Sequence, residues 1–149
     1  MFLLYCDGAC SGNPGPMKLS FALYHDDELL TSMHHTPAGD GTNNLAEYYA
    51  LILGMEVAKV WVPEDWCVQV HTDSELVFRQ ILGEYQVLEP KLKGPYKRAK
   101  RILGEQAWVL HWVPRNELNS WLDGAVPFSE RSSSRTDRGA IGRPWVGRS

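Results

Sequence analysis

Four acidic residues stand where carboxylates can do chemistry. Asp7 follows the apolar run FLLYC (2–6), Asp73 follows CVQVHT (67–72), Glu47 sits inside a long apolar stretch, and Asp123 lies near the end of the folding part of the chain. Ligands of open α/β sheets sit beyond the carboxyl ends of the strands. If the strands ending at Asp7 and Asp73 are parallel neighbours, both side chains project from one sheet edge, and two like charges there repel unless a cation lies between them. Each acid alone also has an ordinary reading: Asp7-Gly8 as a turn, Asp73 as the cap of a helix beginning near Ser74, and Asp123 as a surface residue.

Glu47 resists such a reading. On a helix it shares a stripe with Ala50, Leu51, Gly54 and Ala58, small or apolar residues suited to close packing on a sheet. A charge on that stripe costs several kcal/mol unless it is paired or ligates a metal. A helix N-terminus returns only about 0.3–1 kcal/mol. Three or four oxygen ligands at one sheet edge describe a site for a hard cation, Mg²⁺ or Mn²⁺, bound together with phosphate oxygens. Zinc is disfavoured, because no His or Cys pair has ligand spacing. Two such ions about 3.5–4 Å apart would activate a water and stabilise the leaving oxygen of a phosphodiester.

The elements that must position these residues follow from periodicity. FLLYC reads as a strand buried on both faces and stopped at Asp7-Gly8, and CSGNPGP (10–16) is turn chemistry. LSFALYH (19–25) and LLTSMHHT (29–36) alternate with period two around Asp26-Asp27, an antiparallel hairpin. Leu45 to Trp61 has thirteen apolar residues in seventeen and reads as a helix buried on most sides, ended by Pro63. A strand at 67–72, a short helix from Ser74 closed by Gly83, a basic helix from Lys91 to Ile102, a strand at 107–113 and a last helix from Asn119 complete the order. Two strand–helix–strand crossovers require parallel strands. The fold class is therefore α/β, a five-stranded mixed sheet, antiparallel hairpin plus parallel strands, with helices on both faces. The domain is expected to span 1–126, followed by a disordered Arg/Ser/Gly-rich tail at 127–149.

Composition bounds the setting. The 149 residues are 44% hydrophobic and 22% charged, which suits one globular domain. No run approaches the ~18 apolar residues of a membrane span, and the first ten residues lack a basic n-region, so the expectation is a cytoplasmic monomer without membrane contact. Three cysteines at irregular spacing read as reduced thiols. The net charge of -3 conceals a division: residues 1–90 carry 3 Lys/Arg against 13 Asp/Glu, and residues 91–101 carry 6 against none. An acidic body with a short basic block suits a polyanion gripped in one place and acted on by carboxylates in another.

Three segments then carry a resemblance. Asp7-Gly8-Ala9-Cys10-Ser11-Gly12-Asn13-Pro14-Gly15-Pro16, Thr42-Asn43-Asn44-Leu45-Ala46-Glu47 and His71-Thr72-Asp73-Ser74 resemble the leading motifs of ribonuclease H, type 1, in the compact form that lacks a basic protrusion. The resemblance implies a ribonuclease H-like fold and a metal-dependent endonuclease acting on the RNA strand of RNA/DNA hybrids, leaving 3′-hydroxyl and 5′-phosphate ends. It implies that Asp7, Glu47, Asp73 and Asp123 hold two Mg²⁺ ions, with Mn²⁺ as a substitute and Asn119 or Glu117 as stand-ins for Asp123. Contacts to the hybrid fall on Cys10, Asn13, Thr42, Asn43, Asn44 and Glu75, and the basic residues Lys97, Arg98 and Arg101 are expected on backbone phosphates.

Departures from the pattern bear on function. Glu75 stands where many members have Gln, and Leu122 stands where a small residue is usual. Gly124 and Pro127 shorten the last helix, and 113–116 is too short for the loop that carries a histidine in many bacterial members. His71 and His111 read as structural. The alternative to an enzyme is therefore a hybrid-binding module of the same fold with weak or no turnover.

Overall fold

The computed structural model describes residues 1–124 together with the pair Trp145–Val146. Strands β1 (Phe2–Cys10), β2 (Gly15–His25) and β3 (Glu28–His35) form an antiparallel meander; β4 (Asp40–Gly41) is a two-residue piece on β2. Helix α1 (Asn43–Trp61) leads to β5 (Val68–Thr72), followed by α2 (Glu75–Ile81), α3 (Pro90–Leu103), β6 (Trp108–Trp112) and α4 (Arg115–Leu122). A two-residue strand, β7 (Trp145–Val146), pairs antiparallel with β6. The sheet order is β3-β2-β1-β5-β6-β7, with β1, β5 and β6 parallel. The five long strands are those read from the sequence; β4 and β7 are additions too short to leave a periodic signal. The expected disorder of 127–149 lies outside the described residues, which include only Trp145 and Val146 of that segment.

Alternation along β1 divides the core between two faces. Phe2, Leu4 and Cys6 pack with Ala50, Leu51, Met55 and Ala58 of α1 and with residues of α3, whereas Leu3 and Tyr5 pack with Tyr24 and with Leu118 and Trp121 of α4. Asp26 and Asp27 have φ of 50° and 69°, the left-handed pair that a two-residue hairpin turn requires. All three cysteines are free thiols. Among the described residues no helix is long and apolar enough to cross a membrane.

Two boundaries differ from expectation in ways that matter for the site. β1 does not stop at Asp7-Gly8; it continues to Cys10, because β2 remains paired with it to Cys10↔Met17 while the parallel partner β5 runs out at Tyr5↔His71. Asp7 thus lies where one side of β1 is still bonded and the other has opened. Helix α4 starts at Arg115, four residues before Asn119, so Asp123 is its C-cap residue instead of lying inside it.

Candidate active site at the sheet edge

Gly8 is what lets α1 reach the strand. A Cβ there would collide with the carbonyl of Ala46 and the nitrogen of Glu47, so only glycine permits this approach. The Gly8 N–H then donates to Glu47 Oε1 at 2.7 Å. Thr42 caps the helix, accepting from the Leu45 N–H at 3.3 Å, and the helix begins at Asn43. Glu47 therefore lies past the first turn, where the helix dipole compensates a charge still less.

Asp7, Glu47 and Asp73 each offer a carboxylate oxygen, all within 4.8 Å of one another. The Asp73 side chain is 3% exposed. Its Oδ1 is buried and makes no hydrogen bond among the described residues. Burial, and then the charge of Asp73, push the Asp7 carboxyl up to about 6. The same two causes, with the charge of Asp7 added, raise Glu47 well above the usual carboxylate range. An orphaned buried carboxylate oxygen inside an all-oxygen donor set fits a hard divalent cation and disfavours zinc.

Arg115, absent from the sequence-based site, stands beside this cluster: its Nε donates to Asp73 Oδ2 at 3.2 Å. Trp112 Nε1 donates to the Asp73 carbonyl at 3.1 Å. Both come from the β6–α4 junction. In the sequence Arg115 is the single Lys or Arg between residues 102 and 126, which by itself gives no signal of this placement. Asp123 does not join the cluster; it is exposed at the end of α4, its N–H bonded to the Asn119 carbonyl at 2.9 Å. Asn119 is likewise exposed, and Glu117 is buried on α4 outside the cluster of three.

Next to the carboxylates, the 10–13 segment and the start of α1 knit together. Asn43 Oδ1 accepts from the Cys10 N–H at 3.1 Å and from its Sγ at 3.3 Å, while Asn13 Oδ1 accepts from the Asn43 N–H at 3.1 Å. The two amide oxygens are thus used internally. Asn44 lies exposed beside them. Glu75 is not a bare acid: Arg79 Nε donates to it at 2.8 Å, Arg79 Nη1 donates to Glu84 at 2.7 Å, and the guanidinium lies 5.7 Å from the Tyr85 ring centre. Lys97, Arg98 and Arg101 lie on α3, whose other face buries Leu92, Ala99 and Ile102. Lys97, Arg98 and Arg101 are all exposed. Lys93, Tyr96 and Lys97 line a cleft of about 390 Å³ shared with Gln80, Tyr85 and Val87.

His71 and His111 are buried in the sheet, 2% and 5% exposed, with Nδ1 of His71 3.1 Å from the Leu4 carbonyl and Nε2 of His111 2.9 Å from Gln69 Oε1. Both rings are structural.

Comparison with known proteins agrees with this geometry. The RNase H family matches residues 1–113. Ribonuclease HI of Halobacterium salinarum is 36% identical over 112 residues, which are 74% of this chain and 55% of that protein, so the chain spans about half the length of that relative. Ribonuclease H of Thermosynechococcus vestitus is 37% identical over 138 residues, 91% of this chain and 79% of that protein. Among solved structures, RNase H1 of Halobacterium salinarum superposes with a TM-score of 0.73 at 32% identity, covering 83% of this chain and 98% of the other. LC11-RNase H1, solved in complex with an RNA/DNA hybrid, gives 0.74 at 31% identity, covering 85% and 100%. With three clustered carboxylates on this fold and a match across three quarters of its length, the chain belongs to the ribonuclease H family, type 1.

Proposed function

We propose that the protein is an endonuclease that hydrolyses the RNA strand of RNA/DNA hybrids, leaving 3′-hydroxyl and 5′-phosphate ends. The observation that carries the reading is the trio Asp7, Glu47 and Asp73 within 4.8 Å, with a buried Asp73 oxygen lacking a partner. These residues would hold two Mg²⁺ ions, or Mn²⁺, which supply activation of water and stabilisation of the leaving oxygen. Gly8 fixes the Glu47 carboxylate through its N–H, and Trp112 holds the Asp73 backbone through its carbonyl. Asp123 is the proposed fourth carboxylate on its Asn119-x-x-x-Asp123 spacing alone. Its exposed position outside the trio is the observation that favours the second reading, a hybrid-binding module with weak turnover.

Substrate grip divides between two surfaces. Cys10, Asn13, Thr42, Asn43 and Asn44 surround the site, and the amide groups of the three asparagines suit 2′-hydroxyls and sugar edges in a shallow minor groove. Glu75 shares Arg79 with Glu84, so the three side chains together keep one negative charge there. Lys97, Arg98 and Arg101 would meet backbone phosphates.

The test is cleavage of an end-labelled hybrid with Mg²⁺, with Mn²⁺ and in EDTA. Asp73→Asn is expected to lower the rate by about 10²–10³, the usual cost of losing one charge-stabilising group at a reacting centre. Activity that survives EDTA or this substitution overturns the metal-dependent reading; tight hybrid binding by a wild type that does not cleave establishes the second. The triple variant Lys97→Ala, Arg98→Ala, Arg101→Ala is expected to flatten the fall of hybrid affinity with salt by a slope of about 2 to 3. An unchanged slope removes α3 from the interface.

A further inference from the structure

Arg115 is placed unlike any other cation in the described chain. It opens α4 at the sheet edge, its side chain is 78% exposed, and its Nε reaches Asp73 Oδ2 at 3.2 Å although the Asp73 side chain is only 3% exposed. A solvated arm therefore touches a buried carboxylate from outside. The charges that this guanidinium faces at the cluster are Asp73, Asp7 and Glu47, all acidic groups. A divalent ion drawn to the same oxygens meets a positive group already in contact with one of them.

We propose that Arg115 is a resident competitor for the carboxylate cluster: its guanidinium and a divalent cation contend for Asp73, so that Arg115 sets the ion concentration at which the site fills. The inference rests on the reading of Asp7, Glu47 and Asp73 as ion ligands. The exposure of Arg115 makes exchange easy, since an arm already in solvent loses little on leaving, and it also bounds the effect to that of an exposed ion pair. The role asks for a positive charge that persists at any working pH, which the guanidinium supplies.

The experiment is calorimetric titration of the full chain with Mn²⁺ alone, without nucleic acid, for wild type, Arg115→Met, Arg115→Lys and Asp73→Asn. Arg115→Met is expected to bind Mn²⁺ about two- to fivefold more tightly than wild type. Arg115→Lys should stay near wild type, and the gap should close at high salt, where the competing charge is screened. Equal affinity in Arg115→Met overturns the proposal. Weaker affinity overturns it too, and makes Arg115 a residue that orients Asp73. Asp73→Asn separates this failure from that of the underlying reading: if Asp73→Asn binds Mn²⁺ as wild type does, the cluster is not the ion site; if it loses binding while Arg115→Met is unchanged, only the competitor role falls.

Discussion

Two sites of opposite character occupy neighbouring positions on the same elements. Tyr5 precedes Asp7 by two residues in β1, and His71 precedes Asp73 by two at the end of β5. Trp121, at the end of α4, completes the first set, and its neighbour Asp123 stands outside the carboxylate cluster. The first members form a continuous stack. Tyr5 lies between Trp121, with ring centres 5.0 Å apart, and His71 at 4.4 Å, and His71 continues to His111 at 5.2 Å. Tyr24 meets Tyr5 and Trp121 edge-on and donates its hydroxyl to the Trp121 carbonyl at 2.5 Å. Two residues along β1 and β5, the same scaffold presents carboxylates that repel one another. The difference lies in where the sheet ends: inside its paired region each of these rings packs on another ring, and just beyond it the chain places carboxylates against one another. Stability and chemistry are thus divided by one step along the strands.

That division can be broken from the aromatic side, where the largest change in stability is expected. Trp121→Ala should remove about 3–5 kcal/mol, the cost of deleting a fully buried aromatic side chain. Urea denaturation at neutral pH measures it. Trp121→Phe should keep much of the stack and lose far less. A loss below about 1 kcal/mol for Trp121→Ala, well under the usual range for a buried aromatic, would mean that α4 is held by something other than this stack, and the two sites would no longer share a support.

The same contrast explains how much can be read from sequence. Glu47 is legible because an acid among Ala46, Ala50, Leu51 and Gly54 on a buried helix has no structural reason to be there. Asp7 and Asp73 are legible because hydrophobic runs point at them. Arg115 is not, because an isolated exposed cation looks like solvated surface until the strand order brings β6 beside β5. The start of α4 escapes for a related reason. Its N-cap is Pro114, with no side-chain cap bond, and Leu118 and Trp121 in the core hold the helix instead of a Ser, Thr, Asp or Asn signal. The extent of β1 escapes likewise: Asp7-Gly8 has turn chemistry locally, but pairing with β2 and the approach of α1 over Gly8 decide its conformation.

From the carboxylate side the expected effect is smaller and of opposite sign. In EDTA, Asp7→Asn should raise the stability of the protein, because it removes a charge that the fold holds at a cost. An isolated Asp titrates near about 3.9 in an unfolded chain, whereas burial and the Asp73 charge push Asp7 up to about 6 in the folded one. Between those values the folded state keeps a proton that the unfolded state has released. Stability therefore falls as pH rises through that window, and the full cost is present above about pH 6. The imidazoles have the reverse sign. Burial, with the neighbouring His111, pushes His71 down to about 3, so its contribution is complete above an unfolded value near about 6.5 and is lost as pH falls below it. The Asp7→Asn substitution cancels only the carboxylate part. Its gain should be near zero at about pH 4 and grow to about 1 kcal/mol above about pH 6, a figure reduced for the partial exposure of Asp7, or roughly 4 °C in melting temperature. Mg²⁺ should then stabilise wild type and leave the variant nearly unmoved. A lowered melting temperature, or a gain that does not change with pH, would make Asp7 a structural residue of β1 and place it with the aromatic stack.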